Sequence, residues 1–337
     1  MKFRPKTPPE AMPFRRGKRQ AQSAPTERKS LALTWISPGV FSALAAEGTD
    51  AHRLASGPEM WLERFGHDVL LSHQTGPGRD AVLAEIDQRC AAYSYHPLRI
   101  FGKLLPQHAA ERGAPVLLRG DAGGSLETEV GEAGVRYGLD FAGGYSAGLF
   151  IDQRANRARL RAVKPKRLLN TFAYTCSFSV AAALAGAETV SVDLSRKSLD
   201  RGAENFGLNG LDPSKEKGHR FIADDVLDIL PRLARKGELF DAIILDPPTF
   251  SRGNKGRRFQ VEKDFETLLQ AALELAAPRA RILLSTNCAR LNRRALENIG
   301  RFCLKVSRRA ADFHSEPELP DIPAHAAAQT IWMFLKS

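Results

Sequence analysis

Five short apolar runs recur through the second half of the chain, at residues 167–172, 189–193, 220–223, 242–245 and 281–285. Segments of helical character separate them, and this alternation predicts the crossovers of a doubly wound α/β sheet. Ala242-Ile243-Ile244-Leu245 is continuously apolar, as expected of a strand covered on both faces of a parallel sheet. Residues 31–160 read differently. Turn signals at Ser37-Pro38-Gly39, Gly76-Pro77-Gly78 and Gly143-Gly144 divide short strands and helices, and no long parallel pattern is present. Residues 130–151 read as strand pairs: 135–141 alternate apolar and polar, and a glycine turn then leads into 147–151. The expected organisation is a basic arm over 1–30, a small α+β domain over 31–160 and an α/β domain over 161–337.

The strand at 242–245 runs into Asp246-Pro247-Pro248-Thr249-Phe250. Proline has no N–H, so the ladder ends there and the carbonyls of Asp246 and Pro247 are free to point outward from a stiffened loop. Ligands bind beyond the carboxyl ends of strands in open α/β sheets. Asp246, free carbonyls and the Phe250 ring make a rim able to accept hydrogen bonds from a planar base and to stack on it. A strand terminator without chemistry is the alternative at this point. Upstream, 167–172 leads through Ala173-Tyr174-Thr175-Cys176 into a helical stretch at 179–185, a strand, tight loop and helix opening without the glycine fingerprint of a dinucleotide site. The next strand ends at Asp193, placed to accept hydrogen bonds from both hydroxyls of a ribose, and the third ends at Asp224-Asp225. One such acid is commonly a helix cap. Three in succession, followed by the double proline, favour a nucleotide site.

The 337 residues carry a net charge of +11, which favours a polyanionic partner, RNA or DNA ahead of membrane. Much of the excess lies in the arm, where Lys2, Arg4, Lys6, Arg15, Arg16, Lys18, Arg19, Arg28 and Lys29 face only Glu10 and Glu27, among five prolines. Such a segment is expected to be disordered and to attract phosphates through a salt-sensitive, sequence-independent force, or else to be a solvated tail. No signal-peptide core and no apolar run of about 18 residues is visible, so a cytoplasmic protein is expected. Cys90, Cys176, Cys288 and Cys303 form no C-x-x-C pair, and neither a zinc ribbon nor a disulfide framework is expected.

Asn170-Thr171-Phe172-Ala173-Tyr174-Thr175, Val192-Asp193-Leu194-Ser195, Asp224-Asp225-Val226 and Asp246-Pro247-Pro248-Thr249-Phe250 resemble the motifs of class I S-adenosylmethionine-dependent methyltransferases. Within that class they resemble the bacterial enzymes that modify cytosine C5 or guanine of 23S rRNA. Thr49-Asp50-Ala51-His52-Arg53-Leu54 and Gly144-Tyr145-Ser146-Ala147-Gly148-Leu149-Phe150-Ile151-Asp152-Gln153-Arg154 resemble the small domain preceding the catalytic one in that family. The resemblance covers 48–337 and implies a Rossmann-like catalytic domain, a mostly parallel sheet with an antiparallel last strand near 330–335. It implies S-adenosylmethionine as cofactor and an RNA partner, 23S rRNA or a ribosomal assembly particle, with no metal and no membrane. The family's N-terminal PUA-type module is expected to be replaced here by the basic arm.

Position by position, the resemblance puts the methionine part of the cofactor near Phe172, Ala173, Tyr174 and Thr175, and the ribose on Asp193 with Leu194 and Ser195. The adenine falls near Asp225, and the reacting methyl faces Asp246, Pro247, Pro248 and Phe250. Asp152 and Arg154 would close the other side of the cleft. Cys176 departs from the family's usual glycine, which predicts a tight backbone approach or a strained φ there. Methylation at cytosine C5 needs a thiolate on C6, and Cys288 beyond the strand at 281–285 resembles that nucleophile. Its flanks lack the usual serines, and Thr249 matches the guanine-modifying members, so nitrogen methylation stays open. Arg252, Lys255, Arg257 and Arg258 predict a cationic flap suited to RNA phosphates. The rival from another class is a non-catalytic RNA-binding or ribosome-assembly protein with a degenerate cofactor loop. A Rossmann oxidoreductase is disfavoured by the missing glycines.

Overall fold

The computed structural model describes residues 33–105, 112–121, 123–213, 218–253, 256 and 258–337. The basic arm, Lys255 and Arg257 lie outside the described residues. The chain first builds a sheet from β1 (Thr34–Trp35), β2 (Ala51–Ser56), β3 (Met60–Phe65), β4 (Asp68–His73), β5 (Arg99–Leu104) and β6 (Val116–Arg119), in that order. The pairing is antiparallel except for β4 with β5, which α2 (Gly76–Ala91) connects. A separate hairpin follows, β7 (Glu127–Glu132) with β8 (Val135–Asp140).

That hairpin meets the expectation of strand pairs from residue 130 onward, and one part of the expectation is corrected: 147–151 is not a strand. Ala133 and Gly134 adopt φ of 47° and 78°, the left-handed pair whose twist suits a two-residue hairpin. Residues 151–153 instead form a 3-10 turn that runs into α3 (Arg154–Val163).

The second sheet contains β9 (Arg167–Thr171), β10 (Glu188–Asp193), β11 (His219–Ala223), β12 (Phe240–Leu245), β15 (Ala276–Thr286), β16 (Ala311–His314) and β17 (Gln329–Leu335), ordered β11-β10-β9-β12-β15-β17-β16. The first five are mutually parallel, and β17 inserts antiparallel to β15. Every predicted strand is present, together with the antiparallel last one. β13 (Phe250–Arg252) and β14 (Arg258–Gln260) pair antiparallel as a separate two-stranded ladder.

Helices α4 (Ser177–Ala183), α5 (Arg196–Leu208), α6 (Val226–Arg235), α7 (Val261–Glu274) and α8 (Arg293–Val306) cover the sheet. In α6 the side chains of Val226, Ile229, Leu230 and Leu233 recur at helical spacing, so one stripe is buried in the core that Phe265, Leu268 and Ile282 share. Asp225 starts that helix by accepting the Leu227 N–H. A second core joins Phe65, Leu70 and Phe101 of the first sheet to Val180 of α4 and Leu199 and Phe206 of α5, the helices against the second. Ala32–Ser337 accordingly form one compact unit. No helix among the described residues is long and apolar enough to cross a membrane.

Candidate active site

Strand register places the predicted acids in one row. Val192, Thr171 and Leu245 are level across β10, β9 and β12, so the residues that follow them, Asp193, Phe172 and Asp246, emerge side by side at the carboxyl edge. Asp193 is level with Ala223, which brings Asp224 and Asp225 to the same rim, and Leu245 with Leu284 sets Ser285 beside Asp246. Two strand spacings separate Asp193 from Asp246, about 10 Å.

The loop between β9 and α4 is held from several sides. Ala173 N–H donates to the Val192 carbonyl at 3.0 Å, Tyr174 N–H to Asp193 Oδ2 at 2.9 Å, and Tyr174 Oη to the Ser146 carbonyl at 2.7 Å. Thr175 Oγ1 donates to the Gly148 carbonyl at 2.5 Å, while the Thr175 carbonyl accepts from Asn205 Nδ2. Phe172, Tyr174 and Cys176 all have left-handed φ, at 51°, 48° and 60°. Each such non-glycine residue costs of order 1–2 kcal/mol, and backbone strain of this kind clusters where ligands are held. Cys176 thus has the strained φ its identity suggested.

Asp193 spends one lone pair of each oxygen on backbone, Oδ2 on Tyr174 and Oδ1 on the Ser195 N–H at 2.8 Å. Further lone pairs remain for two hydroxyls. Burial pushes its carboxyl up, and the two backbone donors oppose that. Leu194 is partly exposed beside it, and Ser195 caps α5 by accepting the Ser198 N–H. Asp225 is 7% exposed and serves as the α6 cap, its own N–H resting on Asp224 Oδ1.

Asp246 has the most perturbed carboxyl of the row. Burial pushes it up to about 6, the Ser285 hydroxyl holds it down, neighbouring Asp152 raises it and Arg157 lowers it. Gln153 Nε2 lies 3.4 Å from Asp246 Oδ2 and 2.9 Å from Ser285 Oγ. Asp152 Oδ2 accepts from the Ala328 N–H at 3.0 Å, and burial raises its carboxyl as well. Pro247 is buried while Pro248 is exposed, and Phe250 leaves 48% of its surface in solvent at the rim. Behind it Phe259 of β14 packs on Phe172 with ring centroids 5.5 Å apart.

Two candidates sit differently from the rest. Arg154 is 8% exposed and paired with Asp321, whose carboxylate also accepts the Arg53 N–H. Through Asp321 it ties the first sheet to the segment before β17. Cys288 follows β15 at the same edge as Asp246 but is only 4% exposed. Its Sγ lies 3.5 Å from Glu262 Oε1 of α7, and Glu262 also takes Arg290.

Sequence reasoning missed Glu262, Ser285, Asn156 and the role of Gln153. The polar Gln153 and Asn156, three apart at the start of a helix that otherwise alternates arginine with alanine, were the available signal.

Numbered in chain order, the strands of the second sheet run 3-2-1-4-5-7-6, with acids at the ends of the second, third and fourth. This topology and rim define a class I methyltransferase fold. A family model for S-adenosylmethionine-dependent methyltransferases matches residues 103–334, and the chain belongs to that family. It is 41% identical over 167 residues, 49% of this chain, to YwbD of Bacillus subtilis, named as a candidate ribosomal RNA large subunit methyltransferase. It is 31% identical over 261 residues, 73% of this chain, to ribosomal RNA large subunit methyltransferase I of Cronobacter sakazakii. The matches span 41% and 62% of those relatives' own lengths. Among solved structures, a candidate methyltransferase, SMU.776, crystallised with SAH, superposes with a TM-score of 0.74 at 25% identity, covering 89% of this chain and 80% of that one.

Proposed function

We propose that the protein transfers the methyl group of S-adenosylmethionine to a base in RNA, cytosine C5 of 23S rRNA, with Cys288 as nucleophile. The observation that carries this reading is the single row of Asp193, Phe172 and Asp246 at the carboxyl edge, closed by the double proline and the exposed Phe250 ring. The residues fit an adenosyl sulfonium. Asp193 keeps lone pairs for the ribose hydroxyls, the 172–175 loop flanks the middle, and Asp246 supplies a carboxylate about two strand spacings away. When bound, the cofactor supplies an electrophilic methyl without redox chemistry or metal. The chain's part is to orient the base and to activate its carbon. Asp152 is read as the far wall of the cleft and Asp225 as the adenine neighbour, while Arg154 supports that wall through Asp321.

On the target, the Cys288 thiol gives its proton to Glu262, sulfur bonds to C6, and the electron pair moves to C5, which takes the methyl. Solvent then takes the C5 proton as the C6–S bond breaks, and the released thiolate recovers its own proton from Glu262, which restores the ring. An RNA substrate suits the basic composition, the names of the relatives and a cytoplasmic location. Thr249 and the low exposure of Cys288 favour the second reading, methylation of a guanine nitrogen, which needs no thiolate. Mass spectrometry of rRNA nucleosides decides between them. Cells lacking the gene should lose 5-methylcytidine at one site, and neither Cys288→Ala nor Cys288→Ser should restore it. Restoration by either variant overturns the thiolate route, and loss of a methylguanosine instead overturns the cytosine target.

A further inference from the structure

A line of buried side chains ends on Asp246. Trp332 Nε1 donates to Asn156 Oδ1 at 2.9 Å, and Asn156 Nδ2 donates to Gln153 Oε1 at 2.8 Å. Gln153 Nε2 then reaches Ser285 Oγ at 2.9 Å and Asp246 Oδ2 at 3.4 Å. Trp332 is fully buried, Asn156 3% exposed and Gln153 2% exposed.

The direction of this line is not arbitrary. An indole N–H only donates, so the atom of Asn156 facing Trp332 must be its oxygen, which turns the Asn156 NH2 toward Gln153. The same logic sets the Gln153 oxygen toward Asn156 and its NH2 toward Ser285 and Asp246. Each amide has two orientations in isolation, and the indole at the far end selects one for both.

We propose that Trp332, Asn156 and Gln153 form a one-way hydrogen-bond relay that holds Asp246 as an acceptor toward the interior and presents its remaining acceptor positions to the substrate base. Trp332 and Asn156 act as positioning residues, since neither has a recorded contact with Asp246. The relay joins β17, α3 and the 3-10 turn before it, so it also couples the antiparallel strand to the rim. The use of Asp246 toward a base rests on the proposed function, but the relay and its effect on the carboxyl do not.

The charged and titratable groups facing Asp246 are Asp152 from the 3-10 turn and Arg157 from α3, with the Ser285 hydroxyl from β15; Glu63 of β3 acts on Asp152 in turn. Burial already favours the proton-bound form, and the carboxylate is supported by the Ser285 hydroxyl, which Gln153 contacts at the end of the relay, together with Arg157. Without the indole the two amides are free to reverse, which sets the Gln153 oxygen against Asp246 and favours its proton further.

Carbon-13 NMR of Asp carboxyls in the cofactor-free protein, with Asp246→Asn to assign the resonance, reads this directly. In the wild type Asp246 is expected to titrate near 6. Trp332→Phe, which keeps an aromatic ring without the N–H, should raise that midpoint by about one unit. Asn156→Leu removes the middle link and should raise it in the same direction, which keeps the test available if the buried Trp332 variant does not fold. A merely structural role predicts the opposite sign, because loosened packing admits water and lets the midpoint fall toward 3.8. An unchanged or lowered midpoint in a folded variant overturns the relay. Failure of the methyl-transfer reading would show instead as absent S-adenosylmethionine binding with the titration intact.

Discussion

Cys176 and Gly202 are matched to each other. At φ 60° the cysteine occupies a conformation natural to glycine, and its side chain lies against α5 where Gly202 has none. A Cβ built on Gly202 would lie 2.4 Å from Cys176 Sγ and 2.9 Å from its Cβ, but a comfortable 3.5 Å from the Thr175 carbonyl carbon. Gly202→Ala is therefore expected to lower stability in urea unfolding by about 1–3 kcal/mol. Adding Cys176→Gly should recover most of that loss, and strictly additive losses would refute the pairing. Individual side chains were legible where local chemistry marked them. Asp246 is announced by two prolines and Asp193 by a strand end, whereas Glu262 touches Cys288 only because α7 folds back under β15. The ion pair of Arg154 was illegible for a similar reason, since its partner Asp321 is 167 positions away.

At the scale of elements, periodicity located all five parallel strands because buried strands are short and apolar and helices separate them. The strand expected at 147–151 is absent, since the tight turn lies at Ala133-Gly134, whose left-handed φ values close the β7–β8 hairpin, and not at Gly143-Gly144. The cationic flap resolves into β13 and β14, which set Arg252 directly opposite Arg258. Like charges on paired positions repel, so the hairpin is poised to gain from a phosphate between them. Arg258→Gln should leave thermal stability unchanged or slightly higher. It should also weaken RNA binding and flatten the dependence of log K on log salt by about one unit. An unchanged salt slope would remove the hairpin from the RNA interface.

Across the whole molecule, the first sheet is packed onto the methyltransferase half. Phe101 stacks on Phe141, just past β8, with centroids 4.0 Å apart, and β8 in turn meets the catalytic half where Gly138 N–H donates to Asn205 Oδ1 of α5 at 2.7 Å and Tyr137 Oη to the Ser177 carbonyl of α4 at 3.2 Å. This shared core was not legible from either half alone, because each segment's apolar residues satisfy its own periodicity whether or not they meet. It holds the 144–154 segment, and with it Asp152 and Gln153, against the row of acids. The proposed function requires this row to grip one adenosyl sulfonium. Calorimetric titration of the purified protein with S-adenosylmethionine checks that grip. One-to-one binding is predicted, weakened at least about tenfold in a folded Asp193→Ala variant through loss of charged hydrogen bonds to the ribose. No binding to the folded wild type, or equal affinity in Asp193→Ala, would contradict it.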